Sequence, residues 1–237
     1  MKKKIKVLCT VGPATIKSNI IKKLEKYKID LYRINLSHTK INQLRNNIGK
    51  IKKYSNVPIC IDTEGGQIRN CTLAKKRIYL QKGKKIKIFD KEVVGNSKKI
   101  SFYPPGISKK FKINDNIKID FDQVIIKLIK KLSDGWIGKI INSGYIGQNK
   151  ATNLDRNVNL QSITEKDKEA IKVALKMGIK FFSFSFANTK KDVIKLRKLI
   201  GNKSFLISKI ESKKGIKNLK DIINYSDAIL IDRGDLS

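Results

Sequence analysis

Six short apolar runs begin at Ile5, Leu31, Val57, Phe181, Phe205 and Ala228, and successive starts lie 26, 26, 124, 24 and 23 residues apart. A strand followed by a crossover helix and two loops takes roughly the shorter of these lengths. The runs are nearly continuous in apolar side chains, as strands buried on both faces of a parallel sheet should be. The segments between them carry the helical half of each unit. Ile20, Ile21, Leu24 and Tyr27 form one stripe at helical spacing, and Ile41, Leu44, Ile48 and Ile51 form a second. Thr164 and Asp167 stand at capping-box spacing ahead of Ile171, Ala174 and Leu175, with Gly178 as the expected C-cap. Thr189 with Asp192 opens a fourth helix that Gly201 ends, and Ile216, Leu219, Ile222 and Ile223 predict a fifth.

Subtracting one unit from the long interval leaves about 100 residues lodged between the third strand and its helix. Arg77 to Leu80, Lys85 to Phe89, Asn116 to Phe121 and Trp136 to Ile141 are short, alternating and separated by turn residues, which predicts a small β-rich domain. The expected organisation is a βα-repeat domain over residues 1–70 and 162–237, with an all-β domain over 71–161 inserted after the third strand. A loop leaving the carboxyl end of a parallel strand lies on the face where α/β folds place their active sites, so an insert there can act as a lid.

With 237 residues, 40% of them hydrophobic, the chain can bury a real core and is not a disordered protein. Its 53 Lys and Arg against 20 Asp and Glu give a net charge of +33. Lysine is spread through nearly every predicted helix and loop, so the charge reads as compositional bias on solvated faces rather than as a nucleic-acid surface; either way it attracts phosphorylated metabolites. Cys9, Cys60 and Cys71 lack metal-ligand spacing, and Cys9 and Cys60 are expected as buried reduced thiols. No apolar run approaches membrane-spanning length, and the short Ile5 to Cys9 run is no signal sequence, so a cytoplasmic protein without membrane contact is expected.

The polar residues that follow the runs should converge at one mouth: Thr10, Gly12 and Pro13; Arg33, Asn35, Ser37 and His38; Asp62, Thr63 and Arg69; Ser185; Lys209 and Glu211; Asp232, Arg233 and Asp235. Hard oxygen donors beside Arg and Lys suit divalent metal and phosphate chemistry. His38 is the only histidine, which argues against acyl-transfer triads. Taken singly, Asp62 also reads as a helix N-cap and Arg33 as a surface ion-pair residue. Their joint placement with an acidic and lysine set on the fifth and sixth strands favours the functional reading.

At these residues the sequence resembles the pyruvate kinase family. Val7-Leu-Cys-Thr-Val-Gly-Pro13, Arg33-Ile-Asn-Leu-Ser-His38, Asp62-Thr63 with Ile68-Arg69, Ser162-Ile-Thr-Glu-Lys-Asp167, Lys209-Ile-Glu211 and Ser226-Asp227 leading to Arg233-Gly-Asp-Leu236 match its signature blocks in order. The resemblance implies a TIM-type (β/α) barrel, incomplete at about six of eight units, whose third βα connection carries a mobile β-barrel lid. It implies phosphoryl transfer from phosphoenolpyruvate to ADP in glycolysis, and a homo-oligomer at full length. Lys209 and Arg33 would be catalytic, acting on the phosphoryl group and, for Lys209, the developing enolate. Glu211 and Asp235 would bind Mg²⁺ (or Mn²⁺), and Asn35, Ser37, Asp62 and Thr63 would bind K⁺. Arg69, His38, Lys150 and Asn35 would contact the nucleotide, and Gly234, Asp235 and Lys209 the substrate.

Glu64, Gly66 and Gln67 stand where the family usually has Lys, Pro and Glu, and Asp232 adds a carboxylate beside the metal site. Phe121-Asp122-Gln123 and Asp155 also depart from the pattern, so the differences bear on nucleotide binding and lid closure more than on metal binding. Two competing readings are a truncated or degenerate relative that binds a phosphorylated ligand without turnover, and a basic nucleic-acid-binding protein on a reused barrel.

Overall fold

The computed structural model describes residues 5–156 and 158–232. The chain divides into two compact units, Met1–Gly66 with Gln161–Ser237, and Gln67–Leu160. In chain order the first unit begins with β1 (Leu8–Thr10), α1 (Ser18–Lys26), β2 (Leu31–Asn35), α2 (Ile41–Tyr54) and β3 (Ile59–Asp62). The second unit follows with β4 (Ile68–Asn70), β5 (Arg77–Leu80), β6 (Lys85–Phe89), β7 (Lys99–Tyr103), β8 (Asn116–Ile119), β9 (Val124–Leu132), β10 (Gly135–Asn142), β11 (Gly144–Gly147) and β12 (Ala151–Leu154). The first unit then resumes with α3 (Glu165–Lys176), β13 (Phe181–Phe184), α4 (Lys190–Ile200), β14 (Phe205–Ile210), α5 (Lys213–Lys217), α6 (Leu219–Ile223) and β15 (Ala228–Ile231).

The six strands of the first unit form one all-parallel sheet in the order β1-β2-β3-β13-β14-β15. Strand order never reverses, and α1 packs on α2, α2 on α3, α3 on α4 and α4 on α6. The sheet is thus wound in one direction, unlike a doubly wound fold, whose strand order turns back at a switch point. Central β3 is buried along its whole length, whereas the outer strands β1 and β15 are half-buried or exposed, because each has a neighbour on one side only. Ile21, Leu44, Ile48, Ala170, Ile171, Val193 and Leu196 bring the helices onto Ile34, Ile61, Phe182, Phe184 and Leu206. Each such large apolar side chain removed from water stabilises the unit by about 1.5–3 kcal/mol before entropy is counted.

Local chemistry sets the helix ends. Thr164 and Asp167 make both capping-box bonds at the start of α3, each 3.0 Å. Gly178, just past α3, adopts φ +72°, a region closed to most side chains. The fifth helix, expected as one, is two short helices, α5 and α6. Asn218 between them has φ −101° and ψ 14°, and its side-chain amide donates to the Asn188 carbonyl at 2.8 Å, a bond that competes with helix continuation.

The second unit is a closed seven-stranded barrel in the order β10-β6-β7-β4-β12-β8-β9, with a two-stranded sheet of β5 and β11. Its core is almost wholly branched aliphatic, built from residues such as Ile86, Ile88, Ile100, Ile117, Ile126 and Ile140. Trp136 completes it and donates from Nε1 to the Ser108 carbonyl at 2.9 Å, so its one polar atom is satisfied. The unit starts four residues earlier than the expected Cys71, because Ile68–Asn70 pairs with β7 and β12 and closes the barrel. It ends at Leu160, one residue before the expected Gln161.

Candidate active site

In a parallel sheet all strands end on the same side, and the register sets Asn35 opposite Asp62 and Asp62 opposite Ser183. The charged side chains at the ends of β2, β3 and β14 therefore meet. Arg33 donates from Nε to Asp62 Oδ2 at 2.8 Å and from Nη1 to Thr10 Oγ1 at 3.0 Å, and its Nη2 also binds Asp62. Lys209 Nζ lies 2.7 Å from Glu211 Oε1, 3.6 Å from Asp62 Oδ2 and 3.7 Å from Asp232 Oδ2. Ser185 Oγ joins the group, 3.3 Å from Lys209 Nζ and 3.4 Å from Asp62 Oδ1.

These charges are buried: Asp62 is 1%, Lys209 4% and Glu211 4% exposed. Burial works against the charge on Lys209, but Asp62 and Glu211 outweigh it and hold the pKa above the usual lysine value. Lys209 is thus a fixed cation. Cys60, opposite Arg33 on the neighbouring strand, has its thiol pushed up by burial and then by Asp62, which disfavours the reactive thiolate. Cys9 is only half-buried, short of the full burial expected for it, because β1 is an outer strand.

The loops around the cluster are pinned by groups whose role the sequence pattern did not reveal. Asp167, fully buried, accepts from the backbone N–H of Glu64 at 2.7 Å and of Gly65 at 3.2 Å, as well as from Thr164. A residue read as a helix cap therefore also fixes the chain just after β3. Its burial was the missing signal, since a cap at a solvated helix start would stay wet. Gly65 has φ +70°, and a Cβ there would lie 2.9 Å from the Ser185 carbonyl, so the close approach of these two loops requires glycine. The Phe186 N–H donates to Glu211 Oε2 at 2.7 Å and orients that carboxylate. Glu64 is paired with Lys166 at 3.5 Å, which offsets the negative charge it carries.

Asn35 caps the short 3₁₀ turn Leu36–His38 by accepting from the Ser37 N–H at 2.8 Å, which places Ser37 and an exposed His38 directly after β2. Thr63 Oγ1 accepts from the Ser185 N–H at 3.0 Å. Arg69 and Lys150 belong to the second unit: Arg69 donates to the Asn149 carbonyl at 3.0 Å, and Lys150 pairs with Asp120 at 3.0 Å. Lys150 and Asp120 line a cavity of about 540 Å³ together with Arg77 and Tyr145. Gly234 and Asp235 lie outside the described residues.

Glu211 and Asp232 both direct carboxylate oxygens at the same ammonium, a donor set that suits a hard divalent cation. Among the described residues, no group of three or more His, Cys, Asp or Glu could hold a metal ion. No helix among them is long and apolar enough to cross a membrane.

The family model described as pyruvate kinase, barrel domain, matches residues 2–237. This chain belongs to the pyruvate kinase family. It is 32% identical to the pyruvate kinase of Thermotoga maritima over 241 aligned positions, covering 98% of this chain and 52% of that protein. It is 32% identical to that of Sporosarcina psychrophila, with 99% and 42% covered, and 29% identical to that of Geobacillus stearothermophilus, with 78% and 33% covered. The chain thus spans a third to about half the length of these curated pyruvate kinases.

Proposed function

We propose that this chain carries phosphoryl-transfer machinery of a pyruvate kinase, moving the phosphoryl group of phosphoenolpyruvate to ADP and releasing pyruvate. The observation that carries this reading is a pair of cations, a half-buried Arg33 and a buried Lys209, held beside the buried carboxylate of Asp62 at the carboxyl ends of strands of one parallel sheet. In the reaction, the bond between phosphorus and the enol oxygen breaks as one forms to a β-phosphate oxygen of ADP, and the enolate takes a proton on carbon. Lys209 would stabilise the enolate and the phosphoryl oxygens, and Arg33, oriented by Asp62 and Thr10, would hold the phosphoryl group. Both are prealigned by bonds that exist before substrate arrives, so little reorganisation remains for the chemical step.

Glu211 would hold Mg²⁺ or Mn²⁺ together with Asp235, and the bound metal supplies charge against the mutually repelling phosphoryl oxygens. Asn35, Ser37, Asp62 and Thr63 would hold K⁺; Arg69, His38, Lys150 and Asn35 would meet the nucleotide; Gly234, Asp235 and Lys209 would meet the substrate. In this reading the singly wound sheet is part of a TIM-type barrel and the second unit is its lid. Glu64 favours one other reading, a relative that binds the phosphorylated ligand without turnover, because a carboxylate stands where the family carries a lysine.

A coupled assay for pyruvate with phosphoenolpyruvate, ADP, Mg²⁺ and K⁺ tests this. Glu211→Gln is expected to lower the rate by on the order of a hundredfold or more. Turnover no greater than that of the variant would sink the enzyme reading, and a phosphoenolpyruvate-dependent rise in melting temperature would then support binding without turnover.

A further inference from the structure

The second unit carries an exposed ribbon, most of whose residues have no part in the proposed phosphoryl transfer, although Arg77 and Tyr145 line the cavity that also holds Lys150. Arg77–Leu80 pairs with Gly144–Gly147, and Lys85–Phe89 pairs with Gly135–Lys139, in antiparallel ladders that share one register. Tyr79 stands opposite Tyr145 and Lys85 opposite Lys139. Buried and outward residues alternate in both ladders. Arg77, Tyr79, Lys85, Lys139 and Tyr145 are all exposed, while Ile78, Leu80, Ile86, Ile140 and Ile146 between them are buried.

Two features of this ribbon face solvent, an aromatic pair that stabilises its own ladder and a row of like charges that does not. Tyr79 and Tyr145 are 48% and 58% exposed, with ring centroids 5.0 Å apart, so two aromatic faces are offered to water side by side. In the second ladder Lys139 is paired across with Lys85 on one side and with Lys127 on the other. Cross-strand neighbours have Cβ atoms about 4.5–5.5 Å apart, and like charges directly opposite destabilise a sheet. The ion pairs of this unit among the described residues are Lys87–Asp134, Lys118–Asp122, Lys150–Asp120 and Arg156–Asp115, and none involves the three lysines of the row. The tyrosine pair and the lysine row are six residues apart on each strand, with a turn between them on one strand, where the Lys84 N–H donates to the Gln81 carbonyl at 3.2 Å and Gly83 has φ +84°. Between them lie Gln81 and Ser143, both able to hydrogen-bond a ribose hydroxyl.

We propose that this ribbon binds single-stranded RNA, with bases stacked on Tyr79 and Tyr145 and phosphates on Arg77, Lys85, Lys139 and Lys127. The occupant follows from charge and shape together. Lysines alone would take any polyanion, but an exposed aromatic pair on the same ribbon selects a strand whose bases are free to stack. A duplex hides its bases and offers the tyrosines nothing.

The test is fluorescence anisotropy of the full chain with a labelled RNA of about 12 nucleotides, its duplex, and DNA of the same sequence. Binding of the single strand, weakening steeply with salt, is expected. Tyr79→Ala with Tyr145→Ala should weaken it about tenfold or more. Lys85→Glu with Lys139→Glu should weaken it as much and flatten the salt dependence, whereas Lys172→Glu with Lys195→Glu on α3 and α4, which changes net charge equally, should have a far smaller effect. All these positions are exposed, so circular dichroism should be unchanged in every variant. Equal losses from both charge reversals, no loss from the tyrosine pair, or equal affinity for the duplex would overturn the stacking site and leave only the charge of the whole chain. DNA bound as tightly as RNA would overturn the assignment to RNA.

Discussion

In the first unit Asp62, Lys209 and Glu211 are buried against one another beside a half-buried Arg33, whereas in the second unit Lys85, Lys127 and Lys139 lie outside a barrel filled by isoleucines. The difference follows from the two kinds of sheet. Parallel strands covered by helices are apolar along their middles, and their polar groups collect at one end, where neighbouring strands supply partners for a buried charge. Antiparallel barrel strands alternate, so each charge faces water and each partner position across the ladder also faces water. The strand-end charges of the first unit are therefore paired, whereas the lysine row of the second unit has no ion-pair partner among the described residues.

Two built-in probes separate the units. All described α-helices lie in the first, and Trp136, the only tryptophan, lies in the second. Lys209→Met leaves Asp62 and Glu211 buried without their shared ammonium and should cost the first unit about 3–5 kcal/mol. Helical circular dichroism should then be lost at lower urea while the Trp136 transition stays in place; a joint shift would show that the units unfold as one. Ile126→Ala is the mirror experiment. It opens a cavity in the barrel worth about 2–5 kcal/mol, and should move the Trp136 transition while sparing the helical signal.

The smallest expected effect is at Asp227, which joins the first unit's α4 and β14. Burial works against its charge, but Arg197 and the Leu206 N–H, each at 2.7 Å, hold its pKa below the usual aspartate value. A carboxyl group depressed in the folded state contributes stability that is present above its unfolded pKa of about 3.9 and lost as pH falls through the folded value. The side chain is 39% exposed, so solvent screening holds the effect of Asp227→Asn to less than about 1 kcal/mol at neutral pH. The urea midpoints of wild type and variant should converge as pH falls below about 4 and through the folded value; a gap that persists at the acid end would show that Asp227 acts through packing.

The spacing of apolar runs was enough to read the strands, because β3, β13 and β14 are apolar along nearly their whole buried length and little else in the chain is. The Thr164–Asp167 cap was legible for the same local reason. What stayed hidden depends on distant contacts. Asn218 breaks a helix through Asn188, and Asp167 fixes Glu64 and Gly65 across about a hundred residues of chain; no local pattern records either. Ile68–Asn70 read as part of a strand-end motif, and its place in the barrel emerges only from its two partners, β7 and β12. Arg33, Lys209 and Glu211 were legible as a set because each sits at the end of an apolar run. Of the groups that orient them, the Asp62, Thr10 and Ser185 side chains were legible as strand-end polar residues, whereas the Phe186 N–H that holds Glu211 carries no side-chain signature.

Because Ser183 pairs with Asp62, the parallel sheet joins stretches of chain with the whole barrel unit spelled out between them. On a ribosome the two units thus face different schedules. Every partner needed by β4 to β12 has been synthesised by Leu160, so that unit can close while its carboxyl neighbour is still being made. Strand β3 must wait for β13, and Asp62 waits longer still for Lys209. A folded insert spans less distance than a loose loop of the same length, and closing the sheet around it costs less chain entropy. The candidate active site accordingly comes together after the barrel unit can close.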